Sequence, residues 1–245
     1  MYINFSSRAI IYKMISTILI SKTCEITTMR YIMRDIISMP YFRNHKATAA
    51  NGHIIYSHEE SVERIFKNNG LNAVRTKLLR NEKKDLILQN DPQSKLAKMS
   101  YVKQPYGPQN SPDFIIKCHN TVFAFECKSS KRSVPIYNSG GLSRHYIYIF
   151  CSERSNQTTI YMGDDIVTKE QNQLIDEYVM ERRESDYNFN KKLASIDTNK
   201  RGINFYTRPM IGQKGGRYFT NYFTHQYRSL AEGNVFKFIQ DKIKS

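Results

Sequence analysis

The chain contains no tryptophan, and its 4 cysteines include no C-x-x-C pair. Cys24, Cys118, Cys127 and Cys151 are too scattered for a disulfide framework, so reduced thiols are expected. A zinc finger needs closely spaced Cys and His ligands, and only Cys118 and His119 are neighbours. Long apolar runs are also missing. The nearest approach, "AIIYKMISTILI", is interrupted by Lys13 and is too short to span a bilayer. It also lacks the small-residue cleavage site of a secretory signal, so a membrane or secreted protein is not expected and the cytoplasm is. An Arg- and Ser-containing, acid-poor opening fits a mitochondrial presequence, but Glu25 and Asp35 count against it. Acidic residues are scarce as well. With 37 Lys and Arg against 22 Asp and Glu, the formal net charge is +15 and the pI about 9.6, which points to a polyanionic partner.

The 245 residues suit one domain. Residues 1–50 form a poorly patterned extension in which Met14, Met29, Met33 and Met39 leave a downstream start open, and residues 51–245 are expected to form the domain. "SHEESVERIFKNNG" places Ser57 as an N-cap with Glu60 three residues on, apolar Val62, Ile65 and Phe66 at helical spacing, and Gly70 as a stop. "LRNEKKDLILQNDPQSKLAKMS" is a helix or loop excursion broken by Pro92. The β-branched and aromatic runs "DFIIK", "TVFAFECK", "HYIYIFC" and "TTIYM" read as strands. "TKEQNQLIDEYVMERRES" reads as a long helix with Leu174, Ile175, Tyr178 and Val179 on one face. "GINFYTRPMIGQKGGRYFTNYFTH" alternates around a Gly-rich turn as a hairpin would, and "SLAEGNVFKFIQDKIK" closes the chain as a helix. Its "GQKGG" lacks the spacing and following helix of a phosphate-binding P-loop. The order of elements indicates an α/β (α+β) fold with a central mixed sheet flanked by helices.

Chemistry concentrates in "SPDFIIKCHNTVFAFECKSSK". If its two strands turn at His119 and Asn120, with Asn120 taking the left-handed conformation, Cys118 faces Thr121 and, counting outward, Asp113 faces Glu126. Directly opposed residues have Cβ atoms roughly 4.5–5.5 Å apart, so two carboxylates are forced together. Lys128 projects from the same face, two residues beyond Glu126. A turn one residue longer or shorter breaks the pairing. Two carboxylates this close repel unless a cation lies between them. Asp113, Glu126 and the carbonyl of Cys127 offer hard oxygens to magnesium with positions left for water and phosphate, and Lys128 is placed to act on that water. The structural alternative is a solvated, salt-bridged hairpin, but the apolar flanks argue for burial, where an isolated charge is costly.

This stretch resembles the PD-(D/E)XK nuclease motif: Pro112-Asp113, twelve residues, then Glu126-Cys127-Lys128. It looks like a type II restriction endonuclease, with the resemblance covering a catalytic core at about residues 55–185. The resemblance implies that Asp113 and Glu126 bind Mg2+ and that Lys128 is catalytic. It also implies a contribution from a Glu of the preceding helix. "SHEESVERIF" offers Glu59, Glu60 and Glu63, and with Glu60 employed in the cap, Glu63 is assigned that role. Gln109, Ser130, Lys131 and Asn138 flank the site in text similar to restriction enzymes and are assigned to DNA contacts, with polar loops as the alternative. The family further implies double-stranded DNA as substrate, a homodimer, and a cognate DNA methyltransferase.

Between Thr198 and Ala231 there are six Lys or Arg residues, no acidic residue and seven Phe or Tyr residues. This basic hairpin, about 198–230, is read as a DNA-binding element through Arg201, Arg208, Lys214, Arg217, Asn221 and Arg228, with Phe205, Phe219 and Phe223 as core residues. His53, His58, His119, His145 and His225 show no ligand or nuclease spacing. The alternatives to a restriction enzyme are a repair, recombination or RNA-processing nuclease of the same fold, and a non-catalytic DNA-binding protein.

Overall fold

A computed structural model describes residues 22–41, 47–48, 54–75, 96–108, 110–138, 142–208, 210–212 and 221–245. The apolar run "AIIYKMISTILI", the charged excursion up to residue 95, and Gln109, Lys214, Arg217 and Phe219 lie outside the described residues. Among those described, no helix is long and apolar enough to cross a membrane, and all four cysteines are free thiols.

A short ribbon of β1 (Ala47–Thr48) and β2 (Ile54–Ile55) precedes the main sheet. That sheet has six strands: β3 (Asn72–Ala73), β4 (Ser100–Lys103), β5 (Phe114–Cys118), β6 (Thr121–Ser130), β8 (Ile147–Ser152) and β9 (Gln157–Met162). They lie in the order β3-β4-β5-β6-β8-β9, parallel at β3/β4 and β6/β8 and antiparallel elsewhere. The fold is therefore mixed α/β, as the succession of elements indicated. Strands β6 and β8 lie inside the sheet with both faces covered, so "TVFAFE" and "IYIFCS" are continuous buried runs without alternation.

Three helices cover one face: α1 (residues 22–37), α2 (His58–Asn68) and α4 (Arg228–Lys244). Met29, Ile32, Met33 and Ile36 of α1, Val62 and Phe66 of α2, and Val235, Ile239 and Ile243 of α4 meet Phe114, Ile116, Phe123, Phe125 and Ile149 of the sheet. Helix α1 corrects the reading of residues 1–50 as unpatterned, because Met29, Ile32, Met33 and Ile36 recur at helical spacing and are fully buried. Glu25, on the same helix, is buried and accepts a hydrogen bond from the amide of Thr121 at 3.1 Å, tying α1 to the β5–β6 turn. Helix α2 starts with the expected capping box, Ser57 accepting from the Glu60 amide and the Glu60 carboxylate accepting from the Ser57 amide.

The opposite face is rich in tyrosine. Tyr137 on β7 (Ile136–Asn138) joins its hydroxyl to those of Tyr161 and Tyr222 at 3.0 and 3.2 Å, and Tyr148 stacks on Tyr161. Every hydroxyl in this buried trio has a partner, which burial demands. Helix α3 (Lys169–Ser195) is longer than the sequence pattern suggested and only partly covered: none of its residues is buried, Leu174 and Tyr178 are 68% and 62% exposed, and Ile175 packs against the tyrosine-rich core.

The basic stretch after α3 departs from the expected hairpin. Residues 201–208 run without regular structure beside α3, held by two side chains of that helix. Asn190 clasps the backbone of Phe205 with both ends of its amide, and Asp186 accepts from the amide and hydroxyl of Thr207 at 2.7 and 2.9 Å. Strand β10 (Met210–Gly212) then pairs antiparallel with β7, not with a strand of its own segment among the described residues. Phe205 is 53% exposed and packs edge-on against Phe189 of α3, so of the aromatics expected in the core Phe223 is buried and Phe205 is not.

Candidate active site

The β5–β6 hairpin turns at His119 and Asn120, with Cys118 paired to Thr121 and Phe114 to Phe125. The even-length turn is as expected, but the left-handed residue is His119, at φ +50°, and not Asn120. One step beyond Phe114 and Phe125, Asp113 and Glu126 come together. The backbone amide of Asp113 donates to Glu126 Oε2 at 3.1 Å, and the amide of Cys127 donates to Asp113 Oδ2 at 2.7 Å. Each carboxylate is therefore oriented by the main chain opposite it. Lys128 Nζ donates to Glu126 Oε1 at 2.7 Å, with the two side chains only 10% and 9% exposed. A solvated surface hairpin does not describe this pair.

Glu126 and Lys128 project from the sheet face shared with Ala124, Tyr148 and Phe150, because strand side chains alternate. They open into a cavity of about 200 Å³ whose walls include Asp113, Cys127, Glu59, Asn138 and Arg208. The wall is almost wholly polar, unlike the apolar lining expected of a small-molecule pocket. Burial, then the charges of Glu126 and Glu59, push the Asp113 carboxyl up to about 7, against smaller opposing effects of the Cys127 amide and Lys128.

The helix carboxylate at this cavity is Glu59. Glu63 lies one turn further along α2 and serves elsewhere: it accepts from the Tyr101 hydroxyl at 2.8 Å and pairs with Lys67 at 2.9 Å. Burial raises the Glu63 carboxyl, but the Lys67 and Tyr101 bonds, with the Lys67 and Lys103 charges, outweigh it and hold the group below its ordinary value. Glu59 accepts from Gln104 at 3.3 Å and approaches Lys103 at 3.5 Å. The signal was present in the helical phase, since Glu59 stands three residues before Val62 and seven before Phe66, on the stripe that α2 turns to the sheet. In a DNA-cleavage assay we expect Glu59→Gln to lower the rate by about 10-fold or more. Glu63→Gln is expected to leave it within about twofold and to act on stability instead.

Of the residues assigned to DNA, two reach the cavity. Asn138 alternates with the buried Tyr137 on β7, and β10, paired to β7 with Met210 opposite Asn138, brings Arg208 beside it. Lys131 and Arg201 are exposed, and Ser130, at the end of β6, accepts from the Arg132 amide at 3.0 Å. Asn221 is spent on a local turn, accepting from the amides of Phe223 and Thr224. Arg228 is held by Glu232 at 2.9 Å and Gln157 at 2.7 Å and lies over the Phe223 ring, a structural role at the start of α4.

No family model, curated protein or solved structure matches this chain. The reading of the site therefore rests on its own geometry. Among the described residues, no group of three or more His, Cys, Asp and Glu side chains is arranged to hold a metal ion unaided. Magnesium asks for less. It commonly takes one or two carboxylates and fills the remaining positions with water and substrate phosphate. Asp113 and Glu126, with the Cys127 carbonyl beside them and Glu59 across the cavity, offer the hard oxygen donors such an open site uses. Burial first, and then the charges of Glu126 and Glu59, raise the Asp113 carboxyl, and a divalent cation would offset the second of these causes.

Proposed function

We propose that the chain is a magnesium-dependent endodeoxyribonuclease of the PD-(D/E)XK class, hydrolysing phosphodiester bonds in double-stranded DNA at specific sites as type II restriction enzymes do. The observation that carries this reading is the convergence of Asp113, Glu126 and Lys128 in one polar cavity at the end of a buried hairpin. Asp113 and Glu126 would hold magnesium, with Glu59 facing them across the cavity. Bound there, the metal would polarise the phosphodiester and supply positive charge as the transition state gains negative charge. Lys128, on the same strand face, would orient a water toward phosphorus and accept or relay its proton. Arg208 and Asn138, which line the cavity, would meet the phosphate oxygens, and the net charge of +15 favours a polyanion over small substrates.

A homodimer and a partner DNA methyltransferase belong to the same proposal. Plain duplex, branched DNA, single strands and structured RNA, each with Mg2+ or EDTA, separate the possibilities. The expected result is Mg2+-dependent cutting of plain duplex into discrete fragments, with cutting gone in EDTA. Preference for junctions or RNA would transfer the site to a repair or processing nuclease. Tight DNA binding without cutting of any substrate would make the protein a binding module.

A further inference from the structure

Helix α3 has no buried residue, yet one of its faces is occupied by a later part of the same chain. The segment from Phe205 to Ile211 runs along it in the opposite direction: Phe205 lies at Phe189 and Asn190, Thr207 at Asp186, and Ile211 shares a groove with Ile175 and Tyr178. Ile175, Tyr178, Arg182, Asp186 and Phe189 recur every three or four residues, so they form one stripe of the helix. The helix is a strut for this segment. Asp186 and Asn190 are separated by about 6 Å of helix rise, and Phe205 and Thr207 by about 6.6 Å of extended chain. Because the two spacings match, both clasps close at once: Asn190 bonds the carbonyl and amide of Phe205 at 2.7 and 2.8 Å, and Asp186 accepts from the amide and hydroxyl of Thr207.

Tyr206 stands between the two clasps. With Phe205 and Thr207 turned to the helix, an extended chain turns Tyr206 and Arg208 the other way. Arg208 reaches the polar cavity of Asp113, Glu126 and Lys128, and Tyr206 is 73% exposed. A single exposed aromatic is ordinary on a protein surface. This one has its backbone fixed on both sides and lies two residues from the cavity wall. Two residues of chain reach no further than about 7 Å, about the rise of two nucleotides along one strand.

We propose that Tyr206 is a base-stacking contact, its ring taking the face of an unstacked nucleobase next to the phosphate engaged at the cavity. The inference rests on the DNA reading above and adds a preference that cations do not supply. Every base offers a face to an aromatic ring, so the contact tolerates any sequence. In a closed duplex that face is covered by the neighbouring base, and opening it costs free energy that a mismatched or unpaired base does not demand. A tyrosine has only two side-chain torsions to order, and its backbone here is ordered already, so little of the stacking gain is lost. A duplex with a few unpaired bases is therefore bound more tightly than a closed duplex of the same sequence, whichever of them is cut.

The chain has no tryptophan, so Tyr206→Trp places a single indole at the contact. The probes are a short duplex of mixed sequence and the same duplex with a few central mismatches, held in EDTA so that they stay intact. Anisotropy of fluorescein-labelled probes reports binding, and indole emission with unlabelled probes reports stacking. Saturation with the mismatched duplex should quench the Tyr206→Trp emission strongly, whereas Tyr31→Trp, an exposed position on α1, should keep its emission. Tyr206→Ala should bind the mismatched duplex about 10-fold or more weakly, with the preference over closed duplex gone and circular dichroism unchanged. Tyr206→Phe, which keeps the ring, should stay within about twofold of wild type. An unquenched indole at saturation, or wild-type affinity in Tyr206→Ala, overturns the inference while leaving the DNA reading in place. Tyr206→Phe as weak as Tyr206→Ala also overturns it, making the contact a hydrogen bond of the phenol. Failure of the wild-type protein to bind either probe removes the DNA reading itself, and the inference with it.

Discussion

Asp113→Asn is expected to abolish cutting while making the metal-free protein more stable at pH 8. The side chain is largely buried, and burial together with Glu126 and Glu59 raises its carboxyl from an ordinary 3.8 to about 7. A group whose folded-state pKa is raised contributes its stability below the unfolded value, near 4, and loses it as pH climbs through the folded value, near 7. Above pH 7 the ionised Asp113 is therefore a liability on the order of a few kcal/mol. Asparagine is neutral at every pH and keeps an oxygen to accept the bond from the Cys127 amide. Urea midpoints in EDTA should show the variant ahead of wild type at pH 8, with the gap closing toward pH 4. In Mg2+ the order should narrow or invert, since only wild type gains from binding the ion. Cutting by the variant should fall by at least about 10²–10³-fold, the scale of losing one preorganised charge-stabilising group. A variant that is less stable than wild type at pH 8 would mean that Asp113 is satisfied by the protein alone.

Lys128→Met should fail in both respects. Its ammonium is the close cationic partner of Glu126, at 2.7 Å, and the pair is about nine-tenths buried. Removing one member of such a pair leaves an uncompensated charge and typically costs about 3–5 kcal/mol. The rate should fall by about 10²–10⁴-fold if the amine handles a proton of the attacking water. Stability and activity separate in the double variant Glu126→Gln/Lys128→Met, where neither charge is left alone. Much of the lost stability should return, by a coupling of the size contacting residues show, while cutting remains absent. Recovery of both would make the pair structural only.

The acidic hairpin was legible because its information is local. Two β-favouring runs around His119 and Asn120 specify a register, and the register alone sets Asp113 against Glu126. The capping box that reserves Glu60 was equally plain, being a contact between residues three apart. What escaped depended on distant partners. Strand β4, four residues long, and the two residues of β3 carry too little pattern to stand out, yet both are sheet members through pairing with neighbours. Strands β7 and β10 exist because they pair with each other across some seventy residues of chain, and that pairing places Arg208 at the cavity. Its location could not be inferred from a run of cations. Nor could the fate of residues 201–208, which follow α3 because Asn190 and Asp186 satisfy their backbone. Arg228 and Asn221, equally plausible as DNA contacts by type, turn out to be engaged by Glu232 and by a turn. Helix α1 was readable in principle from its methionine and isoleucine spacing, but methionine is a weak pattern-setter among polar neighbours.

The most direct test of the central claim is a side-by-side digest of a phage genome by wild type and Asp113→Asn, purified identically, in Mg2+ and in EDTA, with sequencing of the fragment ends. The account predicts discrete fragments with a common end sequence from wild type in Mg2+ alone, and intact DNA in the other three lanes. Intact DNA in all four lanes despite tight DNA binding, or equal cutting by wild type and Asp113→Asn, would contradict it.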